Sequence, residues 1–207
     1  MTIKIKICGI TNIEDALNAS LLGADALGFV FVGKSPRYIT PLNTSIIIDA
    51  LPPFISKVGL FVNPSKEEVE DAIRVAKFDL LQFHGDENEE FCNQFNLPYI
   101  KAISVKSEVN LVEYQMNYNS ASALLLDTYS EKARGGTGTT FDWNLIPAEE
   151  SKPLIIAGGL NNENITDLLR HTTPYAVDVS GGVELLKGKK DYKKMENFIL
   201  GVRNATL

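Results

Sequence analysis

Short apolar, β-branched runs recur along the chain, with helical spacing of apolar residues between them. The runs predict strands over Ile3–Cys8, Ala26–Phe31, Lys57–Phe61, Leu80–Phe83, Tyr99–Ile103, Ala123–Asp127, Leu154–Ala157 and Ala176–Val179. Asn12 precedes IEDALNASLL, in which Ala16, Leu17, Ala19 and Leu21 fall largely on one face. Ser65 precedes KEEVEDAIRVA, whose acidic first turn suits the helix dipole, and Asn162 precedes ENITDLLR. A closing helix is expected near Tyr192–Val202, and less regular helical patterns lie around Asn43–Ala50, Asn88–Phe95 and Glu108–Tyr118.

Strands that alternate with helices imply parallel βαβ units, because parallel neighbours need a crossover. About eight such units fill 207 residues, so the expected architecture is one α/β domain over 1–207. A dinucleotide-binding open sheet needs a G-x-G-x-x-G turn after an early strand, and Cys8-Gly9-Ile10-Thr11 is not one. The long polar or Gly-rich segments follow strand C-termini, at Val32–Thr40, Thr128–Asp142 and the glycine turns after the last two strands. That distribution points to a closed single-domain (β/α)8 TIM barrel with its site on the C-terminal face.

Charge narrows the function. With 20 Lys and Arg against 26 Asp and Glu, the net charge is −6, which gives no footprint for nucleic acid or an anionic membrane. No apolar run approaches a membrane span, and the N-terminus MTIKIKICGI lacks the apolar block of a signal peptide. Cys8 and Cys92 lie far apart and, with His84 and His171, offer no zinc spacing, so no metal is expected. The chain is therefore expected to be a reduced, cytoplasmic protein. Its size allows it to fold alone, and a monomer is expected.

The strongest local signal lies in the last two βα turns, Ala157-Gly158-Gly159-Leu160 and Ser180-Gly181-Gly182-Val183-Glu184. Loops after the seventh and eighth barrel strands often bind phosphate, and glycines let backbone N–H groups approach an oxyanion. A phosphorylated small-molecule substrate follows. Cys8 ends the first strand in phase with Lys6, and period-two alternation turns both toward the barrel interior while Ile3, Ile5 and Ile7 face the helices. A neighbouring ammonium lowers a thiol's pKa and makes thiolate available as a base. The alternative is that Cys8 is core packing and that Lys6 pairs with Asp178 to fill the barrel.

Asp127 ends an apolar strand at the barrel mouth, where desolvation favours the protonated form required of a general acid. A helix cap or a turn acceptor is the competing role. An acid and a base on two walls of one pocket point to proton transfer. Arg37, in Ser35-Pro36-Arg37-Tyr38, is a candidate bidentate grip for a carboxylate, or else a solvated charge. Gln82 and His84 are candidate substrate contacts, with a structural hydrogen-bonding role open for His84. Gly135-Gly136-Thr137-Gly138 lacks the Walker Lys-Ser/Thr and reads as a loop over the site, anchored by Phe141-Asp142-Trp143.

Taken together, these segments resemble the phosphoribosylanthranilate isomerase family. The resemblance runs through KICGIT at Lys6–Thr11, GFVFVGKSPRYI at Gly28–Ile39, GLFVN at Gly59–Asn63 and LQFHGDE at Leu81–Glu87. It continues through LLLD at Leu124–Asp127, GGTGTTFDW at Gly135–Trp143, IAGGLNNENI at Ile156–Ile165 and DVSGGVE at Asp178–Glu184. The blocks follow family order across nearly the whole chain. One departure is Gly181, where the family's Ser-Ser-Gly-Val-Glu carries a hydroxyl.

The resemblance implies the Amadori rearrangement of N-(5-phosphoribosyl)anthranilate in tryptophan biosynthesis. It assigns Cys8 as general base, Asp127 as general acid and Arg37 as the anthranilate-carboxylate grip. Gly158, Gly159, Gly181 and Gly182 become the phosphate cradle; apart from the resemblance, Asp178 joins Gln82 and His84 as a candidate substrate contact. The resemblance implies no metal or organic cofactor, because the substrate nitrogen takes up electrons once a Schiff base forms. Another phosphate-binding barrel of amino-acid biosynthesis, and a non-catalytic barrel that binds a phosphometabolite, are the alternatives.

Overall fold

In the computed structural model, which describes residues 2–105, 110–128, 142–146 and 152–205, parallel strands close into a barrel. The strands are β1 (Lys4–Cys8), β2 (Ala26–Val30), β3 (Ser56–Phe61), β4 (Leu80–Phe83), β5 (Tyr99–Val105), β6 (Ala123–Thr128), β7 (Leu154–Ile156) and β8 (Ala176–Val179). Each pairs with the next, and β8 returns to β1 with Lys6 opposite Asp178. The helices are α1 (Ile13–Leu22), α2 (Pro41–Asp49), α3 (Lys66–Ala76), α4 (Glu89–Asn93), α5 (Leu111–Asn117), α6 (Ile165–His171) and α7 (Tyr192–Ala205). A two-stranded hairpin, β9 (Glu184–Leu186) with β10 (Lys189–Lys190), follows β8 and was not expected from the sequence pattern.

Capping explains most helix starts. The Asn12 side chain accepts from the Asp15 N–H at 2.8 Å, and Ser65 and Glu68 form a reciprocal capping box. Thr40 caps α2 with Pro41 in its first turn, so this helix begins ahead of the expected Asn43. By contrast, α6 starts later than expected. Asn161 accepts from the N–H groups of Glu163 and Asn164, which makes a turn through Asn162 and leaves Asn164 at the cap position. In α1 the buried stripe is Ala16 and Ala19, whereas Leu17 and Leu21 are 41% and 79% exposed, a correction to the expected face.

Strand parity divides the core into layers. Ile5, Ile7, Leu27, Phe29, Leu81, Phe83, Leu124, Leu126, Val177 and Val179 point outward and pack with helix residues such as Val69, Ala72, Met195 and Phe198. Ile100, Ala102, Ala123, Leu125, Ile155, Ala157 and Ala176 fill the barrel interior. Cys8, Val30 and Leu60 form a separate apolar layer, with the partly buried Val32 and Val62 packed against it.

The expected parity of β1 holds. Lys6 is buried and donates to both carboxylate oxygens of Asp178 at 3.0 Å, across the β1–β8 seam. Removing one partner of a buried pair strands the other charge. Lys6→Met alone and Asp178→Leu alone should each lower unfolding free energy in urea by about 3–5 kcal/mol. The combined variant should recover most of that loss, because no unpaired charge remains. Single variants as stable as the parent protein would show that the pair does not hold the seam.

Candidate active site

At the C-terminal mouth of the barrel lies a cavity of about 900 Å³. Its wall brings together Cys8, Arg37, Gln82, His84, Asp127 and Asp178, together with Gly158, Gly159, Gly181 and Gly182. Every side chain singled out for chemistry therefore reaches one space.

On the first wall, Cys8 sits at the end of β1, near enough to the Lys6 ammonium for its charge to favour the thiolate. Gly28, opposite Cys8 on β2, makes room for both: a Cβ there would stand 2.7 Å from the Cys8 sulfur and 2.9 Å from Lys6 Nζ. Burial pushes the Cys8 thiol above its ordinary pKa, and the opposing pull of Lys6 and Lys190 does not cancel it. The ammonium-activated thiol expected from the sequence is thus corrected. Without substrate, the low-dielectric setting outweighs the cations. Burial also works against the Lys6 charge, yet Asp178 and Cys8 together hold Lys6 above its usual value. Asp178, expected at the substrate, lines the cavity while giving both oxygens to Lys6.

Arg37 is neither a solvated charge nor a free fork. Its Nε and Nη2 donate to Glu184 at 2.7 and 2.9 Å, and this grip raises its pKa. A guanidinium has two bidentate edges, so the edge formed by Nη1 and Nη2 remains for a second carboxylate. Glu184 is itself fixed by Lys190, at 3.1 Å. The buried Lys190 ammonium also donates to the backbone oxygens of Cys8 and Ser180, at 2.6 and 3.2 Å. Burial lowers its pKa despite the attraction of Glu184.

Glu184 and Lys190 are the functional neighbours that sequence reading did not single out. Glu184 lay inside the DVSGGVE block, but nothing local linked it to Arg37. Lys190 arrives on the unexpected β9–β10 hairpin, whose backbone is tied to α1 by Lys190 N–H donating to Asp15 at 2.8 Å.

The opposite wall carries Asp127 at the inward parity of β6. Its Oδ1 accepts from the Thr128 N–H at 2.8 Å, and its Oδ2 lies 2.9 Å from His84 Nε2. The turn-acceptor role is thus realised on one oxygen, while the other has a side-chain partner in His84. Gln82 Nε2 stands 3.0 Å from the other ring nitrogen, His84 Nδ1. Gly158 has φ +81°, and a Cβ there would fall 2.6 Å from Asp127 Oδ1, so a glycine is required for the carboxylate to keep its place. Gly159 also has positive φ, and Gly182 bridges to Asn161, which joins the two glycine turns.

The glycine loop 135–138 and Phe141 lie outside the described residues. Trp143 packs against the outer core. Among the described residues, no group of three or more His, Cys, Asp or Glu is placed to hold a metal ion.

Comparison with known proteins identifies relatives along the entire barrel. The profile of a family described as N-(5'phosphoribosyl)anthranilate (PRA) isomerase matches residues 5–200. The chain is 52% identical over 202 residues to an N-(5'-phosphoribosyl)anthranilate isomerase of Nitrosospira multiformis, covering 98% of this chain and 97% of that one. A namesake from Pseudomonas fluorescens is 55% identical, with 97% and 98% covered. The crystal structure of phosphoribosyl anthranilate isomerase from Thermotoga maritima superposes with a TM-score of 0.90 at 40% identity, over 98% of this chain and 100% of that one. A similar structure, with a TM-score of 0.87 at 40% identity and the same coverage of 98% and 100%, holds reduced 1-(o-carboxyphenylamino)-1-deoxyribulose 5-phosphate.

The raised Cys8 thiol has a measurable consequence. A raised pKa keeps the group neutral through the ordinary thiol range, and thiolate forms only as pH rises beyond it. The rate of Cys8 alkylation by iodoacetamide should therefore climb with a midpoint above that of a free cysteine. Cys92, whose thiol burial pushes to about 12, contributes a negligible background that the Cys8→Ala protein measures separately. A midpoint at or below the free-cysteine value would overturn the dominance of burial.

Proposed function

This chain belongs to the N-(5'-phosphoribosyl)anthranilate isomerase family, and from that premise we propose that Cys8 and Asp127 are the base and acid of its reaction. The reaction is the Amadori rearrangement of N-(5-phosphoribosyl)anthranilate to 1-(2-carboxyphenylamino)-1-deoxyribulose 5-phosphate, a step of L-tryptophan biosynthesis. The observation that carries the residue roles is the convergence of a buried thiol, a hydrogen-bonded carboxylate, an oriented guanidinium and two glycine turns on one cavity.

Protonated Asp127 gives its proton to the furanose ring oxygen. The bond from that oxygen to the anomeric carbon breaks as the nitrogen lone pair forms the Schiff base. Cys8 thiolate then removes the proton from the adjacent sugar carbon, and the released electrons neutralise the iminium to give an enolamine. Ketonisation adds a proton to the former anomeric carbon and removes one from the enol oxygen. Asp127 regains its proton and Cys8 loses its own, so the enzyme returns to its starting state.

The substrate's two anionic ends call for two anchors. The free edge of Arg37 suits the anthranilate carboxylate, with Glu184 holding the guanidinium in orientation. The turns at Gly158-Gly159 and Gly181-Gly182 suit the phosphate, and the backbone supplies the N–H groups there, since Gly181 has no hydroxyl. All of these groups come from one chain, which supports action as a monomer. The two free cysteines fit the cytoplasm as its place of action.

Turnover of freshly generated phosphoribosylanthranilate, followed by loss of its fluorescence, tests these roles. Cys8→Ala and Asp127→Asn should each reduce kcat by about 10²–10⁴-fold with little change in urea midpoint. Near-full turnover by Cys8→Ala would leave the thiol as packing. Arg37→Ala should lower kcat/KM by about 2–5 kcal/mol in transition-state free energy, and Arg37→Lys should rescue only part of it. An equal loss on an analogue without the carboxylate would remove Arg37 from that role.

A further inference from the structure

We infer that Gln82 is a positioning residue whose side-chain amide turns over as the Asp127–His84 pair gains and loses its transferable proton. The inference rests on the reading of Asp127 as the acid, and it starts from hydrogen-bond chemistry. An amide nitrogen only donates, so with Gln82 Nε2 turned to His84 Nδ1, at 3.0 Å, Nδ1 has to be a bare acceptor. A neutral imidazole then carries its hydrogen on Nε2 and donates it to Asp127 Oδ2, 2.9 Å away. In this arrangement Asp127 is a carboxylate. This arrangement is the one that suits the pair after its proton has been delivered.

The loaded pair holds one proton more. If the carboxyl keeps it and donates to Nε2, the neutral ring must carry hydrogen on Nδ1. If the ring takes it, both nitrogens carry hydrogen. Either way an Nδ1–H would meet the amide N–H of Gln82, donor against donor. Turning the amide by half a rotation places Oε1 there as acceptor. Oε1 is buried and has no hydrogen-bond partner among the described residues, so the rotation breaks no bond of its own. The two amide ends are nearly equal in size, and Gln82 is fully buried, so neighbouring packing does not move. Each orientation leaves one amide end without a described partner, which keeps the two in balance.

The charged and titratable groups around the pair are fixed by partners of their own. Cys8 and the Lys6–Asp178 pair come from β1 and β8, and Arg37 is held by Glu184. Behind His84, Lys101 donates to the Gly85 carbonyl and pairs with Glu87. β2 and β3 present the apolar Val30 and Leu60. The mobile element is the Gln82 amide.

The test is the protonation of the His84 nitrogens, read by long-range proton–nitrogen NMR on ¹⁵N-labelled protein across a pH series. The chain has two histidines, and His171→Gln assigns the signals. In the parent protein, Nδ1 of His84 should be bare at alkaline pH and gain hydrogen as pH falls through the alkaline limb of kcat. Gln82→Glu, which only accepts, should keep hydrogen on Nδ1 across the range and move that limb to higher pH. Gln82→Met, which does neither, should lower kcat by about tenfold or more with KM within about threefold.

A bare Nδ1 at every pH, while kcat crosses its alkaline limb, would overturn the inference. The parent-protein titration alone decides this if either variant fails to fold. An inactive Asp127→Asn beside unchanging His84 nitrogens would keep the acid and remove Gln82. A fully active Asp127→Asn would remove the acid itself.

Discussion

The pairing of Lys6 with Asp178 inside the barrel is the interaction on which the site depends. It lies where the last strand meets the first, so it closes the sheet and sets an ammonium beside Cys8 in one contact. An isolated charge in that interior would carry a large desolvation penalty, and the bidentate partner offsets it. A second buried ammonium extends the arrangement. Lys190 ties the ends of β1 and β8 to Glu184, and Glu184 in turn orients Arg37. Two ionic groups, Lys6–Asp178 inside the barrel and Lys190–Glu184–Arg37 toward its rim, thus flank Cys8.

This scaffold gives the two walls different characters. Cys8 belongs to an apolar layer with Val30 and Leu60, and burial holds its proton in place despite two nearby ammonium groups. In its proposed role as base, Cys8 has to be ionised against that burial. Asp127 instead sits in a hydrogen-bonded setting, one oxygen on a backbone N–H and the other on an imidazole that is itself hydrogen-bonded. A thiol that resists ionisation and a carboxylate hydrogen-bonded to an imidazole are suited to opposite halves of one proton-transfer cycle.

Much of this was legible in the sequence because strands have a strict period. The alternation through Lys6 and Cys8 placed both inside the barrel, and Asp127, at the end of an apolar strand, was placed at its mouth. Ionic partners between loops carry no such period. Arg37 and Glu184 are far apart in the chain and meet only after the barrel closes, and the β9–β10 hairpin is too short to leave a pattern. The start of α6 was misplaced because a run of asparagines offers several caps and only the folded turn through Asn161 chooses among them. The direction of the Cys8 shift depends on burial competing with charge, and that balance has no signature in residue order.

Acid–base isomerisation differs from an internal hydride shift in where the hydrogen comes from, and turnover in heavy water separates them. The reaction is run briefly, trapped by borohydride reduction, and the product's label is located by mass spectrometry and NMR. Proton removal by Cys8 passes the hydrogen through an exchangeable thiol and an enolamine, which predicts solvent deuterium in at least part of the product, on the carbon that was anomeric in the substrate. Product formed at full rate with the hydrogen at that carbon drawn wholly from the neighbouring substrate carbon, at every degree of conversion, would contradict a proton-transfer site built from Cys8 and Asp127.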